Sequence, residues 1–176
     1  RRLDLVLVAR VVHHQPFLRR HRGAVLHQLG EGLTQELFKS RFKDIKLSGT
    51  IGNFDGLHLG HQAILEKIKN NSQEFNSKTI VFFTEPHASE YFASINNLHN
   101  KIPPRICSWR EKFKLLEKSG IDFAFFLKFN NSLRTMSPEN FISEILDSIN
   151  LKSFTVGDDF RFGLDRKGDT DQLREW

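Results

Sequence analysis

From residue 46 onward the chain alternates short β-branched and aromatic runs with longer segments of helical period. That alternation limits the fold more than any other feature. Residues 46–54 read as a strand running into a loop. Residues 60–70 read as a helix, with Ala63, Ile64, Leu65 and Ile68 on one apolar face. Residues 79–84 form a run suited to a buried strand. Ser108 with Glu111 three positions on makes a reciprocal capping box, and Gly120 closes the helix it opens. Residues 121–129 are the next strand. Ser137 before Pro138 starts another helix, because proline in the first turn loses no needed hydrogen bond. Phe141, Ile142, Ile145, Leu146 and Ile149 give that helix its core face. Residues 153–156 are a further strand. Strands separated by helices of this length make an α/β fold: a Rossmann-like open parallel sheet with helices on both faces.

Composition divides the chain near residue 40. No isoleucine precedes Ile45 and no asparagine precedes Asn53, whereas the remainder is rich in Lys, Asn, Ile and Phe. The net charge of +5 falls wholly in residues 1–44, which hold nine Lys/Arg against four Asp/Glu; residues 45–176 hold seventeen of each. Residues 1–44 therefore read as a basic arm or a segment foreign to the domain, and a packed structure is not expected there. The balanced remainder argues against nucleic acid as the domain's partner. No run approaches the roughly 20 apolar residues that span a bilayer, so no membrane is expected. Cys107 is the sole cysteine, which excludes an internal disulfide and fits a cytoplasmic location. No protein partner can be deduced.

The chemistry concentrates in Gly52-Asn53-Phe54-Asp55-Gly56-Leu57-His58-Leu59-Gly60-His61. A strand ends, a glycine-rich turn follows and a helix begins. Ligands of open α/β sheets bind at the carboxyl ends of strands, and a helix N-terminus offers free N–H groups to a phosphate. Glycine lets the backbone approach an anion closely. Two histidines three apart at such a terminus can both donate to a phosphate as its charge grows. A zinc site is the weaker alternative, since His87 is the one obvious further ligand in the core region.

His58-Leu59-Gly60-His61 resembles the H-x-G-H motif of the nucleotidyltransferase superfamily. IGNFDGLHLGHQAIL resembles the N-terminal module of the prokaryotic bifunctional riboflavin kinase/FAD synthetases. TEPHASEYF, PPRICSWREKFKLLEKSGID, MSPENFISEIL and VGDDFRFGLDRKGD follow in the same order, so the resemblance runs from about 49 to 169. It implies the H-x-G-H nucleotidyltransferase fold and transfer of AMP from ATP to FMN, giving FAD and pyrophosphate, with Mg²⁺ accompanying ATP. His58 and His61 would hold the ATP phosphates and stabilise the transition state. Gly52, Asn53, Phe54, Asp55 and Gly60 would shape the ATP side. Pro86, Ala88 and Phe92 would line the flavin pocket, with alanine standing where the family usually has a second proline in its P-H-P turn. Asp159 and Phe162 would lie near FMN and the reacting phosphates. Arg161 is either a phosphate partner or a surface charge. Ser108-Trp109-Arg110-Glu111-Lys112 reads as a helix cap and is assigned to structure.

The resemblance also implies that the module continues past Trp176, including the helix expected after Asp169, and that a riboflavin kinase domain follows in longer members. The rival functions are a related nucleotidyltransferase acting on another phosphorylated acceptor, and a flavin- or nucleotide-binding module without turnover.

Overall fold

The computed structural model describes residues 42–97 and 104–176. The basic segment discussed above lies outside the described residues as far as position 41. Four strands, β1 (Leu47–Ile51), β2 (Lys78–Glu85), β3 (Phe123–Lys128) and β4 (Leu151–Thr155), form one sheet in the order β3-β2-β1-β4. Every pairing is parallel. Helix α1 (Leu59–Glu74) connects β1 to β2, and α2 (Ala88–Ile95) and α3 (Trp109–Lys118) lie between β2 and β3. Short α4 (Asn131–Arg134) and α5 (Pro138–Phe141) follow β3, and α5 widens into a π turn at Ile142–Leu146. A 3₁₀ turn at Leu164–Arg166 and α6 (Thr170–Glu175) close the described chain.

Strand pleating explains the two-sided core, since alternate side chains leave opposite faces of a sheet. Ile80 and Phe82 of β2 and Phe123, Phe125 and Leu127 of β3 join Phe141, Ile145 and Leu146 on one face. Val81, Phe83 and Ala124 face the other way, onto Leu65 and Ile68 of α1 and Phe113 and Leu116 of α3. Helices therefore cover both faces, as the periodicity predicts. Phe42 belongs to the first cluster, edge-on to Phe123 and Phe125 at 5.2 and 5.5 Å, so the packed core includes the first described residue, three positions before Ile45.

Beneath α1 the sheet is polar. Ser48 and Thr50 of β1 are fully buried, and Asn71 of α1 donates to Ser153 Oγ and Thr155 Oγ1 of β4 at 3.3 and 3.4 Å. Small hydroxyl residues fit where a helix lies close over the paired strands β1 and β4.

Within residues 46–54 a strand does run into a loop: β1 ends at Ile51, and in the loop Phe54 takes a left-handed backbone, φ 50°, and turns its ring into the core. Two expectations need correction. The helix opened by Ser137 runs as regular α-helix only to Phe141 before widening; Phe141, Ile145, Leu146 and Ile149 are nevertheless buried, with Ile142 packed beside them. A helix does follow Asp169, whose carboxylate accepts from the N–H groups of Asp171 and Gln172 at 3.1 Å each and so caps α6.

Candidate active site

In the order β3-β2-β1-β4 the chain steps from β1 through β2 to β3 on one side, then crosses back to lay β4 on the other side of β1. The carboxyl ends of β1 and β4 are therefore neighbours where the strand order reverses, the place where open α/β sheets bind ligands. The loop after β1 carries 52–58 and the loop after β4 carries 157–163. Sheet topology alone thus brings the two motif segments together.

The β1 loop is held rigidly. Phe54 is fully buried and Leu57 nearly so. Asp55 accepts from the backbone N–H groups of Ile106 and Cys107, both at 2.9 Å, and from the Cys107 thiol at 3.1 Å. The Gly56 N–H donates in turn to Cys107 Sγ at 3.4 Å. Burial alone would push the Asp55 carboxyl up, but these three donors outweigh it and hold it below the usual carboxylate range. Gly56 has φ +72°, and a Cβ there would meet Ile106 at 2.8 Å. The tight turn needs glycine for both reasons.

His58 is the N-cap of α1, and its Nδ1 accepts from the His61 N–H at 3.4 Å. The two imidazoles stack at 3.7 Å with 22° between planes. The ring of His61 also leans on Phe54 at 4.8 Å, so the buried phenyl props the second histidine. A Cβ at Gly60 would press on the His58 ring at 3.2 Å; glycine leaves that ring its place. His58 and Gly60 are exposed, and His61 is half-buried. Burial, then the neighbouring His58 and Lys112, lower the His61 pKa to about 4. At neutral pH this imidazole is uncharged and its buried Nδ1 has no partner among the described residues.

At the end of β2, Pro86 follows Glu85 through a cis peptide bond. His87 is the N-cap of α2, with Nδ1 2.6 Å from Ser89 Oγ, and Glu90 accepts from the His87 N–H at 2.9 Å. Burial, against the pull of Glu90, lowers the His87 pKa. Arg105 binds Glu85 at 2.6 Å and also pairs with Glu90. Pro86 and Ala88 are half-buried, and Phe92 is exposed, its ring 6.0 Å from Phe129.

After β4, Asp158, Asp159 and Arg161 are exposed, and Arg161 donates to the Phe160 carbonyl at 3.0 Å. Phe162 is buried, stacked on Phe160 at 5.7 Å and packed on Phe141 at 5.2 Å. Phe54, Asp55 and Phe162 thus differ from the sequence expectation in one respect. Their side chains are spent on packing or internal hydrogen bonds and act on the site through the loops they fix. His58, Gly60, Asn53 and Asp159 face solvent.

A small cavity of about 80 Å³ lies between the β1 and β2 ends, lined by Asn53, Asp55, Glu85, His87, Arg105 and Lys112, among others. Lys112, expected as part of the helix cap opened by Ser108, lines this cavity instead. Trp109, Lys112, Phe113 and Leu116 share the i, i+3, i+4, i+7 spacing of one helix face. A lysine on an otherwise apolar face was the available signal. Lys112 is only 3% exposed. No group of three His, Cys, Asp or Glu residues placed to hold a metal occurs among the described residues. No helix among them is long and apolar enough to cross a membrane.

These features define an open parallel α/β domain with an H-x-G-H helix terminus at the switch point of its sheet. Residues 42–176 match the family model described as FAD synthetase, and the chain belongs to that family. It is 38% identical over 121 residues to the bifunctional riboflavin kinase/FMN adenylyltransferase of Escherichia coli (strain K12), covering 68% of this chain and 37% of that protein. The protein of that name from Buchnera aphidicola subsp. Acyrthosiphon pisum is 38% identical over 127 residues, 72% of this chain and 39% of its own length. The chain therefore spans well under half of these curated relatives. A crystal structure titled macrolide-efflux protein, from Streptococcus pneumoniae, superposes with a TM-score of 0.62 at 20% identity, over 78% of this chain and 44% of that one. That likeness speaks to the fold alone.

Proposed function

We propose that this chain transfers AMP from ATP to FMN, forming FAD and pyrophosphate. The observation that carries the reading is the stacked His58–His61 pair at the N-terminus of α1, at the switch point of a FAD synthetase family domain. A phosphate oxygen of FMN attacks the α-phosphorus of ATP. The new P–O bond forms as the bond to the β-phosphate oxygen breaks, and the electron pair leaves with pyrophosphate. The attacking oxygen is already anionic, so no general base is required.

The protein's share is positioning and charge stabilisation. His58 and His61 donate to the ATP phosphates beside the free N–H groups of α1. Gly52, Asn53 and Gly60 give the nucleotide close backbone approach. Phe54 and Asp55 act indirectly, by fixing the ring of His61 and the turn. Pro86, Ala88 and Phe92 face the flavin, and Asp159 stands near the reacting phosphates. Mg²⁺ accompanying ATP would supply neutralisation of phosphate charge. ATP and FMN are the small-molecule partners. The parent protein, like the relatives' names, would add phosphorylation of riboflavin to FMN.

Product analysis with Mg²⁺, ATP and FMN tests the reading. FAD with stoichiometric pyrophosphate is expected. Retained ligand without product would leave a binding module, and turnover with a different phosphorylated acceptor but not FMN would overturn the acceptor assignment.

A further inference from the structure

Among the described residues, the cavity between the β1 and β2 ends contains one charge with no hydrogen-bonded partner. Asp55 is saturated by two backbone N–H groups and a thiol. Glu85 and Glu90 are both taken by Arg105. Lys112 remains: 97% buried by its 3% exposure, lining the cavity, its ammonium 4.7 Å over the Phe83 ring. Among the described residues none of its three N–H donors has an acceptor. An ammonium buried without acceptors is costly, and cation–π contact repays only part. Burial lowers its pKa, against the pull of nearby Cys107, Glu85 and Asp55. Sites that keep such a group unspent in a cleft usually spend it on a ligand.

The place of Lys112 narrows the ligand. Asn53 and Asp55 approach from the loop that leads to His58 and His61; Glu85 and His87 approach from the turn that leads to Pro86 and Ala88. The cavity is the gap between the nucleotide loop and the flavin turn. Under the proposed function, on which this inference rests, the group that must bridge that gap is the phosphate of FMN. We infer that Lys112 binds the FMN phosphate and so aligns the attacking oxygen with ATP.

Riboflavin, which lacks only the phosphate, separates this from a structural role. Flavin-fluorescence titration of the wild-type chain should show FMN bound at least about tenfold more tightly than riboflavin, the scale of one charge-assisted hydrogen bond. Lys112→Met should erase that preference, weakening FMN about tenfold and leaving riboflavin and ATP affinity within about twofold. Lys112→Gln serves if the methionine variant does not fold. Lys114→Met, two residues on, exposed and on another face of the helix, should change nothing. A wild-type chain without FMN preference overturns the inference. So does a variant that weakens FMN and riboflavin equally, which is the signature of a counter-ion to Asp55 and Glu85. A loss confined to ATP overturns it as well. Absence of FAD in the product assay sinks the transfer reading separately, because the FMN-to-riboflavin ratio is a binding measurement.

Discussion

The loops after β1 and after β4 stand side by side at the switch point and divide their residues differently. In the β1 loop the acid is spent inside: Asp55 ties the turn to Ile106 and Cys107, while the two histidines are presented. In the β4 loop the aromatic is spent inside: Phe162 packs on Phe141 and bridges Gly168, while Asp158 and Asp159 are presented. Both loops bury an aromatic of their motif, Phe54 in one and Phe162 in the other; only the β1 loop also spends its acid, and each offers its remaining polar residues. A residue within a family motif is therefore not by that fact a ligand contact.

The sharpest test of this division is Phe162→Ala. Emptying a core site costs about 3–5 kcal/mol, and a domain of this size should lose about 10 °C or more in melting temperature. Asp159→Asn should leave the melting temperature unchanged and lower FAD formation. Equal thermal behaviour of the two variants would break the comparison.

On the β1 side, His58→Ala and His61→Ala should each lower FAD formation by about 10²-fold, the loss typical of one preorganised donor, with little change in flavin affinity. Steady-state kinetics checks this, and near-normal rates in both would remove the histidines from the mechanism.

Asp55→Ala should cost about 2 kcal/mol of stability, since two backbone N–H groups and a thiol lose a charged acceptor. Its kinetic effect should follow from loop disorder, seen as faster amide exchange at Ile106 and Cys107. Unchanged exchange there would show the turn to be held by its apolar residues alone.

The smallest effect is in pH. His61 has a native pKa of about 4 against an ordinary 6.5. Between those values the unfolded chain binds a proton that the folded chain refuses, so stability should fall as pH drops from 6.5 towards 4. The shift would correspond to about 3 kcal/mol undamped, and solvent screening at this half-buried ring reduces it to about 1–2 kcal/mol. Urea denaturation across that window, compared with His61→Gln, measures it; parallel curves would mean that the ring titrates normally.

The sequence by itself determined the alternation of strands and helices, the Ser108–Glu111 capping box and the placing of His58 and His61 at a helix start. Those are local properties, readable from period and spacing. Whether a motif side chain faces ligand or core was decided by tertiary structure. Phe54 and Phe162 look like pocket residues in sequence and are buried in fact, because a left-handed backbone at one and packing on Phe141 at the other turn them inward. Lys112 looked like part of a helix cap and lines a cavity, because α3 packs that face against Phe83. The carboxyl ends of β1, β2 and β4 lie far apart in sequence. Only the parallel order β3-β2-β1-β4, built from long-range backbone hydrogen bonds and a two-sided core, brings them to one edge.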